Sequence, residues 1–386
     1  MSSMAHAAVF VGPRQPFLLR RFPVPEPGPH EVLVGITQAN VCGSDVHIWR
    51  GEMEKMGRLP PTVLGHEMTG LIAALGREVR TDSLGQPVRE GDRVVWMYYR
   101  NCGHCRVCLR GKPYACLMSL ASVYRPCELA PHFVGGFAEF YLIQQGQAFF
   151  RTPEELSDVE LAGANCALAQ VLFGLERVGL GLGESVVIQG AGGLGLYATA
   201  VARAMGASPV VVIDAIESRL EFARSMGADA TISLAEVPDP RQRTQQVLQL
   251  TGGWGADVVV EVAGTARPYP EGIRMLARGG RYLALGSVVP GDTFVADPSL
   301  WIGPNRSLVG VSLYPPHSLH QAVQFLARYR TTFPFERLAS HTFPLEQIDQ
   351  AFACADVALA AHQVPTRIGV RPHGGAATLP RREEPA

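Results

Sequence analysis

Two textures divide the chain. From about Glu184 onward, apolar runs of strand length alternate with helix-length amphipathic segments, the runs falling at residues 185–189, 209–213, 230–233, 257–262, 281–285 and 307–313. Runs apolar on every position suit strands buried on both faces, and the intervening helical segments supply the crossovers that parallel neighbours need. The pattern therefore predicts an α/β fold with a doubly wound parallel sheet. Before Glu184 the texture differs. Short β-rich runs such as 31–36 and 93–97 are separated by Gly/Pro turns, among them FPVPEPGPH, which predicts a small, irregular β lobe. After Gly310 the pattern returns to helix and loop, with a periodic helix around 320–329 and a late strand near 366–370. The ending HGGAATLPRREEPA has little to bury and reads as a frayed tail.

Size and composition narrow the classes. At 386 residues the chain exceeds the usual span of one core, so two lobes of roughly 150 to 200 residues each are expected. Hydrophobic residues at 47% and charged residues at 18% leave enough apolar side chains to fill both. A net charge of −1 without blocks of like charge argues against nucleic acid or anionic lipid as a partner. The start, MSSMAHAAVFVGPRQPF, lacks a basic flank and meets Pro13 at once, so it does not read as a signal peptide, and no run is long enough to span a bilayer. A cytoplasmic location is expected. Lys55 and Lys112 are the only lysines, which leaves Schiff-base chemistry almost no candidates and reads as a coding bias toward arginine.

The eight cysteines change the picture, because in a cytosolic chain they are more often metal ligands or buried thiols than disulfides. Cys102, Cys105, Cys108 and Cys116 are spaced C-x2-C-x2-C-x7-C, with Gly103, Gly111 and Pro113 turning the chain between them. Four thiolates on one short loop can wrap a tetrahedral Zn²⁺ and leave no open position, which describes a structural site. An iron–sulfur cluster is the competing reading, but the bacterial ferredoxin spacing closes with a shorter last gap.

Other candidate ligands are dispersed. Cys42 lies in VCGSDVHIW, His66 and Glu67 in GHEMTG, and Cys166 in GANCALAQ. Singly each has an ordinary structural reading as buried thiol, core histidine or surface carboxylate. Together Cys42, His66 and Cys166 offer the Cys2His set that holds a catalytic zinc with its fourth position free. An alcohol bound there would lose its proton near neutral pH and give up hydride more readily. Ser44 and His47 follow Cys42 closely enough to carry that proton outward. Asp45 can orient a ligand imidazole through its second nitrogen, or serve as a turn-capping residue.

A dinucleotide loop completes the set. SVVIQGAGGLGLYATAVARAMGA carries G-x-G-x-x-G at Gly190, Gly192 and Gly195, with Gly193 between, after an apolar strand and before a helical pattern. In that context the glycines let the backbone approach a pyrophosphate at a helix N-terminus. Asp214 ends the next strand, where a carboxylate hydrogen-bonds an adenosine ribose and repels a 2′-phosphate; this favours NAD over NADP, with Arg219 keeping the alternative open.

CGSDVHIW, GHE, the four-cysteine loop and GAGGLG stand here in the order and approximate spacing of the zinc-dependent medium-chain alcohol dehydrogenases, and over about residues 9–370 the chain resembles that family, sorbitol and threonine dehydrogenases included. CGSDVHIW looks nearest the polyol branch. The resemblance implies a mostly β, GroES-like catalytic domain built from 1–167 and 310–372 around a Rossmann domain at 168–309, with 373–386 as a flexible tail. It implies an NAD-dependent zinc alcohol dehydrogenase with two zinc ions per chain, assembled as a homodimer or homotetramer and acting on a small alcohol or carbonyl. By motif position, Glu67 resembles an acidic neighbour that can approach the metal, and Ser44 and His47 resemble a proton relay. Leu194, Val262, Leu285 and Arg367 fall where the family contacts nicotinamide or phosphates, and Trp49 and Tyr98 would face the substrate.

Two departures leave the alcohol open. Cys166 stands where sorbitol dehydrogenases look to carry glutamate, which weakens a polyol assignment, and the inserts DSLGQPV and CLMSLASVYRPCELAPHFVGG match no subfamily pattern. His132, in the second insert, reads as a surface-loop histidine. The rival readings are a zinc-free quinone or enoyl reductase on the same fold and a non-catalytic nicotinamide-binding protein. Cys42, His66 and Cys166 argue against the first, Ser44 and His47 against the second.

Overall fold

The computed structural model describes residues 3–286, 289–360 and 367–373. Its parallel sheet consists of Val186–Gln189, Val210–Asp214, Ala230–Ser233, Ala256–Glu261, Leu276–Ala284 and Ser307–Gly310. Numbered one to six along the chain, these strands lie in the order 3-2-1-4-5-6, so the order of strands reverses between the first and the fourth. Every neighbouring pair is parallel. Both faces are covered, as the uniformly apolar runs require. Val186, Ile188, Val210, Val212, Val258 and Val260 pack on one side with Leu196 and Val201. Their immediate neighbours Val187, Val211 and Val259 pack on the other with Val247 and Ile273. Successive residues of a strand point to opposite faces, and here each face meets its own helical layer.

Element ends depart from the sequence pattern in three places. The fifth strand begins at Leu276 rather than near Arg281, with a register shift between its early and late pairs. The sixth stops at Gly310, because the residues beyond leave the sheet and bury Val311, Leu313 and Tyr314 in the core beneath it. The helix expected at 320–329 runs over Pro316–Tyr329; Pro316 starts it with a φ already suited to a helix and no N–H left to satisfy.

The remaining strands build the second lobe. Its larger sheet has seven strands, with Ala339–Pro344, Arg367–Arg371, Val32–Val41, Glu67–Leu75, Arg93–Trp96 and Phe149–Arg151 in series and Phe140–Ile143 paired to Val32–Val41. A smaller three-stranded sheet joins Leu18–Pro23, Met4–Phe10 and Thr62–Val63. Val32–Val41 is central: Asn40 pairs with Glu67 on one side, and Val41 with Ile368 on the other. That register brings three segments from distant parts of the chain to one end of the sheet. Of the expected tail, residues 374–386 lie outside the described residues. His373 is docked rather than frayed, with Nε2 2.7 Å from the carbonyl oxygen of Glu139 and its ring against Phe140. Among the described residues no helix is long and apolar enough to cross a membrane.

The glycine loop shows how tightly the sheet and its first helix meet. A Cβ at Gly195 would stand 1.9 Å from the carbonyl oxygen of Gly190, whereas one at Gly192 would meet nothing within 4 Å. Gly195→Ala is therefore expected to destabilise the protein by about 1–3 kcal/mol or more and Gly192→Ala far less. Thermal and urea unfolding of the two variants check this; equal midpoints would contradict it.

Candidate active site

Cys42 follows the central strand and caps the helix Gly43–Arg50; His66 and Glu67 lead into the strand beside it; Cys166 lies in a single π-helical turn, Ala164–Leu168, buried at all five positions. The potential ligand atoms of Cys42, His66, Glu67 and Cys166 all lie within 4.8 Å of one another. Ser44 Oγ is 3.4 Å from Nε2 of His66. On the far side of the ring, Nδ1 is 3.4 Å from Oδ1 of Asp45, a fully buried carboxylate. The backbone N–H of Cys42 donates to Asp45 Oδ2 at 3.0 Å and that of Gly65 to Oδ1 at 3.4 Å. Asp45 thus fills both roles open to it, capping its own helix and facing the second nitrogen of His66, which leaves Nε2 toward the thiols.

The electrostatics of the set suit a cation. Cys42 is held well below the ordinary thiol range by its hydrogen bond with Cys166, helped by His66 and opposed by burial. Cys166 is pushed well above that range by the same bond and by burial. Burial opposes charge on His66, but Asp45 and Cys42 outweigh it and hold its pKa well above the usual value. Without a metal these groups share protons; a soft-to-borderline dication bound by two sulfurs and one imidazole would replace them, and that donor set fits Zn²⁺.

The four-cysteine loop passes a similar test. Its sulfurs are 3.4 Å (Cys105–Cys108), 3.6 Å (Cys116–Cys102), 3.8 Å (Cys105–Cys116) and 4.0 Å (Cys102–Cys108) apart. Metal–sulfur bonds of about 2.3 Å in a tetrahedron give edges of about 3.8 Å. Burial raises Cys108 to about 12, and hydrogen bonding to Cys105 adds to it. Cys116 falls to about 6, because the backbone N–H groups of Cys102 and Met118 overcome its burial. Four thiolates so close need a cation before all can lose their protons.

One cavity of about 1640 Å³ connects the dispersed set with the glycine loop. Cys42, Ser44, His47, His66, Glu67, Tyr98, Cys166, Gly190, Gly192, Gly193, Leu194, Asp214, Arg219, Val262, Leu285 and Arg367 all line it. Gly195 lies beneath the loop, where it admits the close contact with Gly190. Asp214 accepts backbone hydrogen bonds from Ala191 at 2.6 Å and Ile216 at 2.9 Å. Burial lowers the pKa of Arg219, against the pull of Asp214. Arg367 ion-pairs with the fully buried Glu67, and a Cβ at Gly193 would meet its Nε at 2.6 Å; it therefore ties the metal set to the glycine loop.

Trp49 does not face the cavity. Its indole packs on Phe352, with ring centroids 6.2 Å apart, and under Arg14, because helical rotation turns it from the face shared by Ser44, His47 and Ile48. His132 also lies elsewhere, stacked on Phe22 at 4.9 Å. Three neighbours of the site went unread in the sequence. Glu52 pairs with Nδ1 of His47, five residues earlier across a helix end. Tyr124, from the second insert, lines the cavity and is raised to about 12 by burial. Gln170 also lines it and donates to the Val311 carbonyl at 2.9 Å.

Comparison with known proteins bears on the family and the fold. An alcohol dehydrogenase GroES-like domain matches residues 28–154 and a zinc-binding dehydrogenase domain residues 193–328. The chain is 38% identical over 334 residues to the 5-exo-hydroxycamphor dehydrogenase of Pseudomonas putida, covering 85% of this chain and 90% of that one. It belongs to the zinc-type medium-chain alcohol dehydrogenase family. Among solved structures of such proteins, an alcohol dehydrogenase from Thermotoga maritima superposes with a TM-score of 0.87 at 29% identity, covering 96% of this chain and 100% of the other. A zinc-binding dehydrogenase fold from Sinorhizobium meliloti, solved with NADP bound, gives a TM-score of 0.78 at 25% identity over 96% and 100% of the two chains. As in these relatives, the sequence reading of a Rossmann sheet joined to a mostly β GroES-like lobe holds for this alcohol dehydrogenase homologue.

Because the four loop cysteines do not line the cavity that holds the dispersed set, loss of one is expected to act on stability first. Cys105→Ser should lower the thermal midpoint by several degrees and reduce whatever metal the loop binds, with less effect on the dispersed set. An unchanged midpoint and metal content would contradict this role.

Proposed function

We propose that this protein is an NAD-dependent zinc alcohol dehydrogenase, with a catalytic zinc held by Cys42, His66 and Cys166 and a structural zinc held by Cys102, Cys105, Cys108 and Cys116. The observation that carries the reading is the convergence of two thiols and an imidazole within 4.8 Å in the same cavity as the glycine loop. A zinc ion there supplies Lewis-acid polarisation of the substrate hydroxyl. The protein supplies the rest. Ser44 and His47, three residues apart on one helix, present the same face to the cavity, Ser44 beside His66 and His47 near Gly264 of the other lobe. Glu52 takes the Nδ1–H of His47, so Nε2 stays free to accept the proton that Ser44 passes on.

The glycine loop in the same cavity would hold the cofactor. The helix Gly193–Ala204 begins at the glycine loop, so its N–H groups and dipole favour the pyrophosphate there, and Arg367 adds a buried positive charge beside Gly193. Asp214 uses one lone pair per oxygen on the backbone and keeps others for ribose hydroxyls, which favours NAD over a 2′-phosphorylated cofactor.

Ile48, Met53, Leu59, Val123 and Leu313 give the cavity an apolar wall, relieved by Tyr98 and Tyr124. Such a wall suits an apolar alcohol, cyclic ones included, better than a polyol, in keeping with the likeness to a hydroxycamphor dehydrogenase. A panel of cyclic alcohols, short alcohols, polyols and amino alcohols, followed at 340 nm with NAD, tests this. Turnover is expected with cyclic alcohols and its loss, by about 10³-fold or more, in Cys42→Ala; an active Cys42→Ala would refute the metal assignment. Asp214→Ala is expected to weaken NAD and raise the relative use of NADP. An unaltered NAD/NADP ratio of kcat/KM would undo the role given to that carboxylate.

A further inference from the structure

Cys166 reaches the metal set from a segment 100 residues beyond His66, and its own turn is a π-helix, whose wide spacing places side chains differently from the α-helix that follows. Something must hold that turn against the strand that His66 leads into. The residue before it, Asn165, is fully buried. Its Oδ1 accepts from the backbone N–H of Met68, two residues after His66, at 3.3 Å. Its Nδ2 donates to the carbonyl of Trp96, two residues before Tyr98, at 3.1 Å. Tyr98 in turn packs on His66 with ring centroids 4.9 Å apart. The main-chain carbonyl of Asn165 accepts from the hydroxyl of Tyr314. Tyr314 is itself clasped by Tyr99, whose hydroxyl donates to its carbonyl and accepts from its N–H, the latter at 3.0 Å. One side chain and one carbonyl therefore join the turn of Cys166 to the strand that follows His66, to the strand that precedes Tyr98 and to the segment leaving the parallel sheet.

We propose that Asn165 is a positioning residue for the catalytic metal: it never touches the ion, but its carboxamide sets the separation of Cys166 from His66 and with it metal affinity and ligand geometry. The inference rests on the zinc reading above. Apolar side chains of similar size cannot replace the carboxamide, since they would leave the Met68 N–H and the Trp96 carbonyl without this partner in a buried place. Aspartate keeps the acceptor and loses the donor, so it should act in the same direction.

The test is zinc release from the full-length protein to a chromophoric chelator, with Cys42→Ala identifying which phase belongs to which site. In Asn165→Leu the phase missing from Cys42→Ala is expected to accelerate at least tenfold, while the four-cysteine phase keeps its rate. Asn165→Asp, which preserves volume and is read in the same way should the leucine variant fail to fold, is also loaded with cobalt(II) at the Cys42 site. Its visible absorption is expected to shift, because that spectrum reads ligand geometry rather than global stability. Wild-type release rates together with a wild-type cobalt spectrum would overturn the proposal. Wild-type protein that binds zinc only on the four-cysteine loop would overturn the zinc reading and this inference with it.

Discussion

The site depends on holding two thiols and an imidazole within 4.8 Å of one another. Left alone, such groups resist: thiolates repel, and burial penalises each ion. What keeps them together is strand register rather than local sequence. The pairing of Asn40 with Glu67 fixes His66 beside Cys42, and the pairing of Val41 with Ile368 delivers Arg367 to the same end of the sheet from far along the chain. Cys166 joins from a third segment through its π turn. The compensating arrangement is also local, since Asp45 faces the far nitrogen of His66 and Arg367 neutralises Glu67.

From that end of the sheet the rest of the architecture follows. A parallel sheet with both faces buried gives a rigid floor on which the glycine loop opens toward the metal set, near where the strand order reverses between the first and fourth strands. Arg367 spans the two halves, ion-paired to Glu67 and lying against Gly193. Gln170, on the helix that continues from the Cys166 turn, reaches across to the Val311 carbonyl at the end of the sheet. The wall with the glycine loop and the wall with Cys42, His66 and Cys166 are therefore not independent surfaces that happen to face each other; a few polar side chains join them.

Much of this was legible in the sequence, for physical reasons. Buried parallel strands must be apolar at every position, so the six runs announce themselves; a four-ligand loop needs its cysteines close together; a glycine such as Gly195 is required where a Cβ would strike a carbonyl. What escaped depends on geometry that spacing does not encode. Trp49 is one residue round the helix from Ile48, and that rotation decides which of them meets the cavity. Glu52 reaches His47 only because the chain turns back at Gly51, where φ is 82°. Tyr124 belongs to an insert without a recognisable pattern, and the bonds of Asn165 depend on tertiary partners distant in sequence. Strand ends were misplaced where tertiary packing, as at Val311 to Tyr314, draws the chain out of the sheet.

Cys42, His66 and Cys166 are proposed to grip one zinc ion. Anomalous diffraction recorded on both sides of the zinc absorption edge tests it most directly, because the signal locates the element itself. A peak is expected within about 2.0–2.3 Å of Nε2 of His66 and of both sulfurs, in addition to one among the four loop cysteines. Anomalous density confined to the loop, in crystals grown with zinc, would contradict it.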